Sequence, residues 1–219
     1  MRGRLLLDLD LRLQRRLSVL PSVTTYLENL PRGVASYPHS QVKGAIVSAA
    51  LAGAGLNGPL TDDQVPACVA ELTRQPPSVN IWVPEVHYGA MIGAIYDLRF
   101  RDRGGLDAFQ AWVLEGNRAL LRSPLYRVLF LVVSPERVFI GADQRWARFH
   151  RGSLLSVLKR ASRTVTLRLT YPEHLFAEHA VRGFAMAFRA AGEAAGAKHQ
   201  QIRHEIESPG ATRYELEWL

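Results

Sequence analysis

The sequence is short of almost everything that advertises chemistry. It holds a single cysteine, Cys68, so no internal disulfide can staple it, and a thiol left unpaired points to a reducing compartment. No stretch approaches the roughly 18 consecutive apolar residues of a membrane-spanning helix. The opening Met1-Arg-Gly-Arg-Leu5-Leu-Leu7 starts like an export signal, but Asp8, Asp10 and Arg12 interrupt it. A cytoplasmic location is therefore expected. There is no GxxxxGK(S/T), no GxGxxG after a strand, no GxSxG and no HExxH, which removes the common phosphate-cradling, nucleophile and zinc motifs. The glycine-rich stretch after Leu51 follows a helical pattern rather than a strand, so it reads as a helix end and loop.

Histidines and carboxylates do not fill the gap. His174 and His179 are five apart on a helical pattern and fall on different faces, while His199 and His204 fall on opposite faces of a strand. No metal site and no cofactor are expected. Asp62-Asp63 reads as capping chemistry, and Glu205, Glu207, Glu215 and Glu217 as the solvated face of two strands. The chain is therefore expected not to be an enzyme.

What is present is arginine, alanine and leucine. Lysine occurs only at Lys43, Lys159 and Lys198 among 27 cations, and the net charge is +7 with pI ≈ 10.0. Residues 99–163 hold 13 of the 27 Lys+Arg but 5 of the 20 Asp+Glu, so the basic character is local. Arg137, Arg145, Arg148 and Arg151 are the candidate anion-binding set, and nucleic acid is the partner such a charge raises. A helix through 135–151 turns Trp146 and Phe149 inward and the arginines outward, which removes a base-stacking platform. Scattered arginines from a GC-rich bacterial genome are the favoured reading.

With 219 residues, of which 47% are hydrophobic, the chain can bury roughly 70% of its unfolded surface without staples. Periodicity divides it. Residues 1–35 read as an amphipathic extension, with a helix over 5–20. Residues 36–219 read as one α+β domain. Within it, 36–151 is helical. Ser40 caps a helix to Gly55, and a second helix begins near Thr61–Asp63 and presents Val65, Cys68, Val69 and Leu72. Pro84 opens a third, with Tyr88, Met91, Ile92 and Ile95 in a stripe. Leu106, Phe109, Val113 and Leu120 mark a fourth, and Pro135 opens a fifth that runs to Arg151. The run 128–133 is apolar on all sides and belongs in a core.

From Gly152 the period changes to two. Val165, Leu167, Leu169 and Tyr171 alternate with polar residues, as do Ile202, His204, Ile206 and Tyr214, Leu216, Trp218. A helix from about Glu173 to Ala195 lies between. Residues 152–219 thus predict a hairpin, a helix and a hairpin, with a helical layer packed on a C-terminal four-stranded antiparallel sheet. Gly183, Ala187 and Ala191 form a small-residue stripe expected to pack on that sheet.

The segments Tyr171-Pro-Glu173, Val181-Arg-Gly-Phe-Ala-Met-Ala-Phe-Arg-Ala-Ala-Gly192, Gly196 and Thr212-Arg-Tyr-Glu-Leu-Glu-Trp218 resemble the C-terminus of a paralogous family of unknown function expanded in myxobacteria. Lys43-Gly44 and Trp82-Val-Pro-Glu85 extend the resemblance upstream, over 35–219. That family is similar to the superfold shared by haem–nitric-oxide-binding domains, 4-vinyl-reductase-type sensor domains and the small subunits of the TRAPP tethering particle. The resemblance implies a space between helices and sheet that takes haem, an aromatic ligand or an acyl chain, or else a dimerising module. The haem branch uses a proximal histidine with Tyr-x-Ser-x-Arg, whereas the strand here reads Thr164-Val-Thr-Leu-Arg-Leu-Thr-Tyr171, so haem is not expected. The 4-vinyl-reductase branch often carries several cysteines, and Cys68 stands alone.

The expected function is a non-enzymatic sensory or adaptor domain binding a small apolar or aromatic ligand between helices and sheet. Trp82, His87, Tyr88, Trp112 and Trp146 are the candidate ligand-binding residues, because pockets pair apolar walls with a few polar handles. The first alternative is a ligand-free protein-interaction module, a homo- or heterodimer built on 128–133 or the small-residue helix. The second is an anionic-surface binder through 99–163.

Overall fold

The structure, a computed structural model, describes residues 20–55, 65–123 and 134–219. The expected helix over 5–20 (apart from Leu20), the Asp62-Asp63 cap and the apolar run 128–133 lie outside the described residues.

Alternation builds the larger sheet where it was expected. Strands β4 (Leu154–Ala161), β5 (Thr164–Thr170), β6 (Gln201–Ser208) and β7 (Ala211–Glu217) pair antiparallel in the order β4-β5-β7-β6, numbered here in chain order after three shorter strands described below. Leu155, Val165, Leu167, Leu169, Tyr214 and Leu216 turn inward and are buried. Arg168, Arg213, Glu205 and Glu207 lie on the outer face as an ion-paired ladder. Helix α8 (Glu178–Ala194) covers the inner face. It starts later than residue 173 because residues 171–177 are spent on a turn, in which the His174 N–H donates to the Pro209 carbonyl. The buried Tyr214 hydroxyl donates to the Val181 carbonyl at 3.0 Å, and the Tyr214 ring meets Phe188 edge-on at 5.0 Å. These contacts tie the helix to the sheet.

The small-residue stripe corrects the expectation. Gly183 looks away from the sheet toward helix α5 (Gly105–Arg122), where an added Cβ would sit 3.7 Å from Val113 and 3.9 Å from Phe109. Those are ordinary van der Waals distances, so Gly183 faces α5 without the backbones being pressed together.

The remaining helices are α1 (Pro21–Asn29), α2 (Gly44–Gly53), α3 (Ala67–Arg74), α4 (Glu85–Arg99), α6 (Pro135–Ile140) and α7 (Ala142–Ala147). Residues 20–30, placed in the N-terminal extension from sequence, pack in the same core: Leu20, Val23, Tyr26 and Leu30 are buried. The Tyr26 hydroxyl donates to the Leu175 carbonyl at 2.9 Å. α1 sits so close to α4 that a Cβ at Gly89 would lie 2.5 Å from the Tyr26 hydroxyl oxygen, so this crossing needs glycine. In α3, Cys68, Val69 and Leu72 are buried as their spacing predicts, and Pro66 stands just before the helix rather than within its first turn.

A second sheet was not anticipated. Strands β1 (Gln41–Lys43), β2 (Trp82–Pro84) and β3 (His150–Arg151) pair antiparallel with β1 in the centre. Ser40 is therefore not a helix cap; residues 41–43 spend their backbone groups on the ladder and α2 begins at Gly44. Pro84 closes β2, and Glu85 is the first residue of α4. The single helix expected from Pro135 to Arg151 is two short ones and a strand. Gly141 stands between them with φ −107° and ψ 29°, outside helical geometry. A Cβ there would lie 2.7 Å from Arg145 Nη1, which folds back over the break.

Candidate functional site

The helices do not close completely on one another. A cavity of ≈ 230 Å³ lies between α2, α4, α5, α6, α7 and α8. Its walls are apolar and aromatic, with Ile46, Ile92, Trp112, Val113, Phe139, Trp146, Phe176, Phe184 and Phe188 among the lining residues. Gly53, Gly116, Gly183, Ala187 and Ala191 also line it, and an added Cβ at Gly116 would meet no atom within 4 Å. Small side chains at helical spacing thus keep open a space that larger ones would fill. The four-stranded sheet contributes Leu155, so the cavity lies among the helices more than between helices and sheet.

Polar groups reach this space where the three-stranded sheet ends. Val42 pairs with His150, and Gln41 pairs with Pro84, the residue before Glu85. The register therefore brings the start of α4 beside β3. Both side chains line the cavity. Glu85 is 1% exposed and His150 6%, and Glu85 Oε2 lies 3.2 Å from His150 Nδ1. Glu85 Oε1 is buried with no hydrogen-bond partner among the described residues. The imidazole lies flat on the Trp146 indole, with centroids 3.9 Å apart and planes 14° from parallel. Trp146 Nε1 donates to Ser153 Oγ at 3.0 Å, which fixes that ring.

Tyr88 follows Glu85 by one helical turn and also lines the cavity. Burial pushes its phenol well above the ordinary range, and the Glu85 charge pushes it further. Arg145 turns inward too, donating from Nη1 to the Val138 carbonyl at 2.9 Å. Burial, then the Arg148 charge, lowers its guanidinium pKa.

Of the five residues proposed from sequence, Tyr88, Trp112 and Trp146 line the cavity, and Trp112 Nε1 donates to the Gly53 carbonyl at 3.0 Å. Trp82 and His87 are not brought to it. Trp82 lies on β2 beneath two cations, with Lys43 Nζ 4.2 Å and Arg151 Cζ 3.9 Å from the ring centre. His87 is half-buried, and burial lowers its pKa against the opposing pull of Glu71. The four candidate arginines differ in placement. Arg137 and Arg148 are exposed, Arg151 lies on Trp82, and Arg145 faces inward, which corrects the outward placement expected from a continuous helix.

Among the described residues, no group of three or more His, Cys, Asp or Glu side chains converges as a metal site would. Burial pushes the Cys68 thiol up to about 11, so it is a packing residue. His179 is buried beside Tyr96 and Phe109 at centroid distances of 5.7 and 6.0 Å, its Nε2 has no hydrogen-bond partner among the described residues, and burial lowers its pKa to about 4. Sequence reasoning missed Glu85 and His150. Glu85 follows a proline that reads as a helix start, and His150 ends a basic aromatic segment with helical spacing.

Helices that leave a partly open cavity, packed on a four-stranded antiparallel sheet, make an H-NOX-like fold. No family profile matches the sequence, and no curated protein matches it. The fold is similar to solved H-NOX structures. A structure from work on haem distortion in the H-NOX family superimposes with TM-score 0.54 at 7% identity, over 80% of this chain and 94% of that one. The Fe(II) unliganded H-NOX protein from K. algicida gives 0.52 at 9% identity, over 81% and 96%. An oxygen-binding H-NOX domain related to soluble guanylate cyclases gives 0.52 at 10% identity, over 80% and 94%. At such identities the likeness is one of fold.

Proposed function

We propose that this chain is a non-enzymatic sensory or adaptor domain whose cavity takes a small apolar or aromatic molecule. The observation that carries this reading is the aromatic cavity held open by small residues on facing helices, with a buried carboxylate–imidazole pair in its wall. Apolar walls with a few convergent polar groups are the usual anatomy of a small-molecule site. The fold neighbours support a ligand role in kind, since haem and oxygen are bound by them.

The residues present do not fit haem. His150 is the one histidine in the cavity wall, and a carboxylate behind an imidazole is the arrangement that orients metal ligands. Trp146 covers one face of that ring, and Phe184 stands perpendicular to it at 5.8 Å. Stacking on the ring face does not cover the Nε2 edge, where a metal would bind, so what argues against a porphyrin is size: the cavity of ≈ 230 Å³ is below the roughly 300–1,000 Å³ of ordinary ligand pockets. Arg145 gives one N–H to a backbone carbonyl, and among the described wall residues no second Lys or Arg stands with it for a pair of propionates.

Native mass spectrometry of protein purified without denaturation tests the proposal. The expected spectrum shows a mass increment of one organic molecule per chain that disappears on denaturation, with no haem absorbance. A bare chain mass, or haem in stoichiometric amount, contradicts it.

A further inference from the structure

We infer that the cavity selects for a hydrogen-bond donor, an amine or hydroxyl on an apolar body, which Glu85 Oε1 receives beside His150. This rests on reading the cavity as a ligand site. A carboxylate removed from water is costly unless both oxygens find partners. Oε2 has His150, while Oε1 has nothing among the described residues, and an unsatisfied buried polar atom calls for an explanation. The hydrogen bonds that the neighbouring donors give go elsewhere. Trp146 Nε1 is given to Ser153, Arg145 Nη1 to Val138, and the Glu85 backbone N–H to the Ser40 carbonyl at 2.9 Å.

Two further features set the sign of the group that fits. Glu85 is the first residue of the fifteen-residue α4, where the helix dipole favours a negative charge. The Tyr26 and Tyr88 phenols, both raised first by burial, are raised further by that charge. At Oε1 a ligand carboxylate or phosphate would therefore meet like charge, with Arg145 as its one cationic partner among the described wall residues, whereas an amine would complete a charge-assisted hydrogen bond there. The apolar body then lies against Trp112, Trp146 and Phe184. The same dyad gives specificity: a site built to accept a donor hydrogen bond discriminates strongly against a ligand that lacks it.

Calorimetric titration of the whole protein with benzylamine, benzyl alcohol, toluene and benzoate tests the inference, because the four share one ring and differ in the head. Benzylamine is expected to bind about tenfold or more tighter than toluene, the size of one charge-assisted hydrogen bond. Benzyl alcohol is expected between them and benzoate last. In Glu85→Gln the carboxamide offers a donor of its own, so the benzylamine advantage should vanish while toluene binds as before. Equal affinities across the series, or benzoate binding most tightly, would overturn the inference and leave the ligand site standing. Binding of none of the four would overturn the ligand-site reading and the inference with it. Should Glu85→Gln fail to fold, the order of the four probes on the wild-type protein decides.

Discussion

The two sheets of this molecule follow the same backbone rules to opposite ends. In the four-stranded sheet, one face is continuously apolar, and its buried hydroxyls are paired: Tyr214 with the Val181 carbonyl, Tyr171 with Thr212 at 2.8 Å. Its outer charges are matched as well, with Arg168 2.8 Å from Glu207. The three-stranded sheet has strands of only three, three and two residues, too short to be stable without the helices around them. Its ends deliver Glu85 and His150 to the cavity, and one carboxylate oxygen has no hydrogen-bond partner among the described residues. The larger sheet is a satisfied scaffold. The smaller one sets two buried polar side chains in the cavity wall.

Core truncation should separate the two regions most sharply. Leu167 is 0% exposed on β5, opposite Tyr214. Leu167→Ala is expected to destabilise the protein by about 2–5 kcal/mol. Leu120→Ala, at the partly open cavity wall, should cost clearly less because its side chain has fewer contacts to lose. Urea denaturation of both variants measures the difference, and equal losses would erase the distinction between scaffold and cavity.

The next effect concerns pH. Burial lowers His179 from 6.5 to about 4. Between these values the unfolded chain binds a proton that the folded chain refuses, so stability is complete above the upper value and falls as pH drops toward the lower one. At about 1.4 kcal/mol per unit of pH, the loss across the window is about 3 kcal/mol. His179→Phe keeps an aromatic ring beside Tyr96 and Phe109 and removes the proton. The gap in stability between wild type and variant should therefore grow in the variant's favour from neutral pH toward the lower value. A gap independent of pH would show that His179 is hydrated in the folded protein.

The contrast between the sheets also explains what could be read from the residues alone. Alternation over Val165, Leu167 and Leu169, and over Tyr214, Leu216 and Trp218, exposes a half-buried strand because a period of two repeats several times there. Strands of two or three residues show no period. Ser40 and Pro84 therefore read as helix starts, since both residue types favour that position. Val138, Ala142, Trp146 and Phe149 keep helical spacing across Gly141, and this masked both the break and the strand that follows. The aromatic part of the site was legible, because Tyr88, Trp112 and Trp146 stand out as large amphipathic residues on apolar stripes. Glu85, His150 and the inward turn of Arg145 were not, because tertiary pairing of distant segments creates them.

The most direct test of the cavity as a ligand site is the substitution Gly116→Leu, read by toluene titration and thermal unfolding of the same preparation. Gly116 lies centrally on the α5 face that lines the cavity, and an added side chain there meets no atom at its Cβ. Replacing a helical glycine with leucine should stabilise the fold by about 1 kcal/mol through backbone propensity, while the side chain takes up ligand space. The expected result is a higher unfolding temperature together with loss of toluene binding seen in the wild-type protein. Toluene binding that survives Gly116→Leu unchanged would place any ligand elsewhere and contradict the central claim.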